Sequence, residues 1–239
     1  MIKIIPATER HEAKIEDWLT SHYLFSFADY YDPGNVQFGP LRVFNDDWIG
    51  PKKGFPSHPH TDMEIITIVL DGAIKHTDSL GNEATIPAGQ VQRMSAGTGI
   101  THSETNDGEE AAHLYQLWFL TNKKGLAPSY EQMAVDFLDT KGKLVPLATG
   151  QKVLEDVVFM NSNSTVYYGN LSEGNEYDFQ TFKIRKTLVY VTSGALLVNN
   201  VELEQYDQIR LEEMDVVRLH ASADTTFILI DVPAAEANY

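Results

Sequence analysis

The sequence predicts an all-β protein made of antiparallel sandwiches or barrels. Three observations predict it: strand-type runs recur along the whole chain, helical periodicity is sparse, and one strand–turn–strand pattern occurs twice. Residues 65–70, 183–191 and 225–230 are rich in Ile, Val, Thr and aromatics and are bounded by Gly, Asn or Asp. Branched and aromatic side chains pack well on a pleated surface. Leu80-Gly81-Asn82 and Asn199-Asn200 read as tight hairpin turns, where the backbone needs residues that tolerate positive φ. Many short strands between such turns make a sandwich or a barrel.

Taken in order, residues 9–20 are expected to hold one short helix. The aromatics Tyr23, Phe25, Phe27, Tyr30 and Tyr31 are expected in the core, with Phe25 and Phe27 on one strand face and the mouth of a pocket as their alternative place. Asp46-Asp47 reads as a charged turn. Val69-Leu70-Asp71-Gly72-Ala73-Ile74 is echoed by Val191-Thr192-Ser193-Gly194-Ala195-Leu196, and Gly89-Gln90-Val91 by Asp207-Gln208-Ile209. The echo reads as a duplicated β-barrel. Residues 121–132, with Asn122, Gly125 and Pro128, read as the connection. The expected division is therefore a first half, residues 1–130, and a second half, residues 131–239. With the two glycines aligned, His58 faces Gln180, His60 faces Phe182 and Glu64 faces Lys186, so the second copy is not expected to bind the same metal.

Composition narrows the partners. The 239 residues, 43% of them apolar, are ample for one large or two small cores. A net charge of -16 disfavours nucleic acid and anionic membrane surfaces. With no Cys, disulfide and thiolate chemistry are excluded, as fits a reducing compartment. The first ten residues lack the apolar core of a signal peptide, and the apolar run 65–70 is too short to span a bilayer. A cytoplasmic location is expected.

The chemistry lies in two short clusters. His58-Pro59-His60 and His102-Ser103-Glu104 each sit in a strand-like segment, where residues two apart share a face. If both strands face one interior, three imidazoles and a carboxylate converge. That donor set suits Fe(II), Mn(II), Ni(II), Cu(II) or Zn(II) and suits Ca or Mg poorly. It leaves positions open for catalysis. Among the other histidines, His76 is expected in a solvent-facing or hairpin role, His113 in a structural role with a place behind the ligands as the alternative, and His11, His22 and His220 in structural roles. Gly97-Thr98-Gly99 lacks the Lys of a phosphate loop and is expected to bend the chain so that His102 and Glu104 reach the metal.

These segments carry a resemblance. Residues 54–72, with His58, His60 and Glu64, look like a first cupin motif, and Pro87-Ala88-Gly89 like the start of a second, except that Gln92 stands where a cupin His is expected. The run Gly54-Phe55-Pro56-Ser57-His58-Pro59-His60, then Asp78-Ser79-Leu80-Gly81-Asn82, then residues 94–104 and Gln116-Leu117-Trp118, is similar to the pirin family. Residues 22–33 resemble its bacterial branch, which includes quercetinase-type pirins. The resemblance implies a bicupin: two face-to-face antiparallel β-barrels of jelly-roll type with a few short helices. It implies one metal in the N-terminal barrel, held by His58, His60, His102 and Glu104. Glu64 and Gln116 are expected to stand behind the ligands, Glu64 orienting an imidazole, and Gln92 to hydrogen-bond nearby. Iron is the metal expected in the family, with nickel, cobalt, copper, manganese and zinc open.

The resemblance also implies a function: a quercetin 2,3-dioxygenase, acting on a planar polyphenol and O2; as the only carboxylate among the four ligands, Glu104 is expected to be catalytic base as well as ligand. The alternative is a non-enzymatic iron-binding pirin, a metal- or redox-responsive module with a protein partner.

Overall fold

A computed structural model describes residues 1–135, 137–152, 154 and 156–234. Of the expected second half, residues 136, 153, 155 and 235–239 lie outside this description. The first half runs β1 (Ile2–Ile5), β2 (His11–Ile15), β3 (Leu19–Tyr23), β4 (Leu41–Ile49), β5 (Lys53–His60), β6 (Met63–Asp71), β7 (Ala73–Asp78), β8 (Glu83–Pro87), β9 (Gln90–Ser95), β10 (Ile100–Asn106), β11 (Ala112–Leu120) and β12 (Ser129–Ala134). The second runs β13 (Lys143–Thr149), β14 (Val158–Phe159), β15 (Thr165–Leu171), β16 (Glu176–Gln180), β17 (Arg185–Ser193), β18 (Leu196–Val198), β19 (Val201–Leu203), β20 (Gln208–Glu212), β21 (Val216–Ala221) and β22 (Thr225–Pro233).

These strands form two copies of one plan. A seven-stranded sheet, β12-β9-β6-β11-β4-β3-β2, goes with the four-stranded sheet β5-β10-β7-β8. The second copy repeats it with β1-β20-β17-β22-β15-β13-β14 and β16-β21-β18-β19. The echo around Gly72 and Gly194 marks equivalent junctions, β6 to β7 and β17 to β18. This is the all-β, two-cupin architecture. The expected division falls inside β12, which belongs to the first sheet, while β1 pairs with β20 in the second half.

The two large sheets pack on each other through one apolar cluster that includes Phe44, Ile66, Ile68, Tyr115 and Leu117 with Leu188, Tyr190, Ile228 and Ile230. Because β6 is covered on both faces, it reads as a near-continuous apolar run instead of an alternating one. Ile66 and Ile68 face the other half. Ile65, Thr67 and Val69 face the interior of their own half, so Thr67 is the polar break on the inner face. That interior has an apolar cluster with Leu19, Val69 and Ile86 and another with Ile65, Met94 and Ile100. A polar row crosses the sheet between them: Gln132, Gln92, Thr67, Gln116 and Asn45 stand side by side on neighbouring strands. In the second half the row is Ile209, Val189, Leu229 and Tyr167, and an apolar cluster fills the interior.

Four expectations need correction. Residues 9–20 form no α-helix: β2 and β3 make a hairpin, with Glu16 at φ 50° in its turn, and the only helical element among the described residues is the 3-10 turn Ala7–Glu9. The His11, Ala13, Ile15 alternation has the strand period. Asp46-Asp47 is no turn but the middle of β4, with both side chains buried. Consecutive strand residues point to opposite faces, so the two aspartates occupy different environments. Phe25 is core, whereas Phe27 borders a cavity and Tyr31 is 73% exposed. His76 is not at the surface; it lies fully buried on the inner face of β7, with Ile74 and Asp78.

Candidate metal centre

Strand pairing brings the two histidine clusters together. On β10, His102 stands opposite His58 of β5 and Asp78 of β7, Ile100 opposite His60, and Glu104 opposite Phe55 and His76. Directly opposed side chains lie about 5 Å apart at Cβ. A register shift between His102 and Glu104 re-aims the second pair. Close approach is needed here: a Cβ on Gly54 would sit 2.1 Å from the Glu104 carbonyl oxygen. The ring centroids of His58, His60 and His102 are 4.5 to 5.0 Å apart. One ring nitrogen of each lies within 4.8 Å of the others, and a second group of the same reach is His76, His102 and Glu104, so His102 is common to both.

Hydrogen bonding and burial leave ring nitrogens free to act as ligands. His58 Nδ1 donates to the Pro56 carbonyl at 2.8 Å, since a carbonyl only accepts, and this leaves Nε2 with its lone pair. His60 Nε2 and both ring nitrogens of His102 are buried without a protein partner. Burial, with the charges of His102 and His58, pushes His60 down to about 4. Burial and the charges of His58 and His76 push His102 down to about 3. Unpartnered buried nitrogens cost free energy unless something coordinates them. A divalent transition metal fits that need, and the nitrogen-rich donor set suits it.

Glu104 is held from two sides. Thr67 Oγ1 donates to Oε1 at 3.3 Å and Gln116 Nε2 to Oε2 at 2.8 Å. Trp118 Nε1 donates to Gln116 Oε1 at 3.0 Å, which fixes the amide with its NH2 toward Glu104. Gln92 is fully buried beside Thr67, and neither amide atom has a partner. Glu64 differs from its expected role. It accepts Asn161 N at 3.0 Å and Asn161 Nδ2 at 3.3 Å, a link to the second half, and among the described residues it bonds no imidazole.

The remaining histidines have partners of their own. His76 Nε2 donates to Asp78 Oδ2 at 3.1 Å, Tyr130 packs against its ring, and its Nδ1 is unpartnered. His113 stacks on Trp48 and bonds Asp46 at 2.6 Å. His11 stacks on Tyr30, and His22 and His220 pair with Glu12 and Glu176.

Beside the imidazoles lies a cavity of about 310 Å³. Its wall is mostly apolar, with Ile15, Leu19, Phe27, Phe55 and Trp118, and it reaches His58, Glu104 and Gln116. Ser21, Asn45 and Asp47 add polar groups. Asp47 is pushed up to about 7: burial is the main cause, opposed by the Ser21 hydrogen bond and reinforced by the charges of Asp46 and Glu104. Sequence reading missed Asp47, Thr67, Trp118 and the burial of His76. For His76 a signal existed, since Ile74, His76 and Asp78 alternate onto one face of a strand.

The Pirin family model matches residues 6–119, and the family model of the quercetinase C-terminal cupin domain matches residues 149–232. A protein of Escherichia coli (strain K12) named quercetin 2,3-dioxygenase is 38% identical over 234 residues, 98% of this chain and 99% of its own length. A pirin-like protein of Caulobacter vibrioides is 40% identical over 214 residues, 90% of this chain and 92% of its own. Among solved structures, YhhW from Escherichia coli aligns with a TM-score of 0.93 at 36% identity, covering 98% of this chain and 99% of that one. The bacterial pirin YhhW in complex with nickel(II), also from Escherichia coli, aligns with a TM-score of 0.92 at 36% identity, covering 98% and 100%.

Proposed function

Because the chain belongs to the pirin family, we propose that it is a metal-dependent dioxygenase of the quercetin 2,3-dioxygenase type, opening the central ring of a flavonol with O2 and releasing carbon monoxide. The observation that carries this reading is an apolar cavity ending on His58 and Glu104, beside imidazoles whose nitrogens lack protein partners. His58, His60, His102 and Glu104 would hold one divalent metal. Iron is the family expectation, and the nickel-bound relative supports nickel. Held there, a divalent metal would supply Lewis acidity toward the 3-hydroxyl and its neighbouring carbonyl and the means to activate dioxygen.

The chain's own residues do the rest. Glu104 receives the 3-hydroxyl proton as substrate binds. Thr67 and Gln116 aim the carboxylate beforehand, and Trp118 locks Gln116 in place. Phe27, Phe55 and Trp118 give a planar polyphenol an apolar enclosure that excludes water. The second half braces the first and would hold no metal in this reading, since Ile209, Val189, Leu229 and Tyr167 stand where the first half has its polar row.

The test is oxygen uptake with quercetin at matched metal occupancy. In Glu104→Gln the carbonyl oxygen still coordinates but is a very weak base. Loss of a general base costs about a hundredfold or more in rate. The extra positive charge at the site favours the flavonolate and opposes this, but the base term is larger. Equal rates would remove Glu104 from proton transfer. No uptake by the wild type, with each common divalent metal restored, would contradict the enzyme reading and favour a metal-dependent interaction module.

A further inference from the structure

Asp47 takes no part in the mechanism above, yet its carboxyl is buried in the cavity wall. It comes from the inner face of β4, two residues from Asn45, and pairs across β3 with Ser21. Among the described residues, its only hydrogen-bond partner is the Ser21 hydroxyl. The two oxygens of a carboxyl offer several lone-pair sites whether or not it carries a proton, so most of its accepting capacity is unused. Asn45 Oδ1, also buried and lining the cavity, has no donor among the described residues. This corner therefore holds buried accepting capacity that no donor among the described residues meets. An occupant that satisfies it must bring O–H or N–H groups. The nearby Glu104 carboxylate and the chain's net charge of -16 disfavour an anionic occupant. The apolar walls at Leu19 and Phe55 favour a flat, uncharged one.

We propose that Asp47, with Ser21 and Asn45, takes a hydroxyl of the substrate other than the one directed at the metal, and so selects polyhydroxylated flavonols over analogues that lack those hydroxyls. Asp47 is then a specificity-determining residue. The inference rests on the flavonol reading, and it differs from that reading in concerning ligand choice and not ring opening. A site built to hydrogen-bond a hydroxyl discriminates strongly against the ligand without it, because its buried polar groups are left unpaired.

The experiment measures dissociation constants of quercetin and of 3-hydroxyflavone for the metal-loaded protein, alongside oxygen uptake. The wild type is expected to prefer quercetin. In Asp47→Leu that preference should fall at least about tenfold, with 3-hydroxyflavone binding within about twofold of wild type. Asp47→Asn, which keeps the size and one acceptor, should show a smaller fall and serves if the Leu variant does not fold. An unchanged preference in both variants, or equal weakening of both ligands, would overturn the proposal. Hydroxyl preference lost on substitution, but without oxygen uptake by the wild type, would sink the dioxygenase reading and leave the ligand-selection role standing. Failure of the wild type to bind either flavonol would overturn both.

Discussion

Asp47 carries a carboxyl whose proton is held in the folded protein up to about pH 7, against 3.8 for the ordinary group. Between those values the folded form binds a proton that the unfolded chain has released, so this group costs stability as pH rises through the window. His60 and His102 act in the opposite sense: lowered to about 4 and about 3, they weaken the fold as pH falls below 6.5. Asp47→Asn removes only the first effect. The metal-free variant is therefore expected to gain stability over wild type as pH rises from 5 to 8, read as a widening difference in Tm by calorimetry. A difference that stays flat would show that Asp47 is already ionised at pH 5. Asp46, one residue away, faces the other half and accepts Tyr190 Oη at 2.9 Å, Arg10 Nη1 at 3.4 Å and His113. Two adjacent aspartates read as a turn because charge is commonest at the surface. Their partners, Ser21, Arg10, His113 and Tyr190, lie far away in sequence, so no local pattern announces the burial.

At the scale of elements, the period of two made the centre legible. His58 with His60, and His102 with Glu104, were readable because each pair sits two apart in a strand, and the pairing of β5 with β10 is what joins them. The turn before β10 was readable as a bend. Gly97 has φ 49°, and a Cβ there would meet the Leu126 carbonyl oxygen at 2.1 Å. Gly97→Ala is expected to destabilise the protein by about 2 kcal/mol or more, through left-handed strain and a backbone clash. Urea unfolding should show a lower midpoint at unchanged slope, and a change below about 0.5 kcal/mol would refute the clash. Thr67 was hidden differently. In a strand buried on both faces, one Thr among isoleucines is unremarkable in sequence, and only the third dimension puts it on Glu104. The hairpin of β2 and β3 was missed because charged residues mask its alternation.

For the whole molecule, duplication was visible around Gly72 and Gly194, and the structure repeats the same strand order twice. What sequence could not show is how the copies are joined. Glu64, where many cupins place a ligand, is instead used as a link between the halves, accepting from Asn161. Asn161→Ala removes the side-chain donor to Glu64 and to Ser95. It is expected to cost about 1–3 kcal/mol in denaturant unfolding, as for a buried acceptor that loses a partner, while metal occupancy stays unchanged. Loss of metal in that variant would return Glu64 to the coordination sphere. Among the described residues no helix is long and apolar enough to cross a membrane.

The central claim is that one metal sits among His58, His60, His102 and Glu104. Its most direct test is elemental analysis of metal per chain after reconstitution, for wild type and for the double variant His58→Ala, His102→Ala. One equivalent in the wild type and near none in the double variant is the predicted result. Full occupancy in the double variant, or a second tight equivalent that survives in it, would contradict the claim.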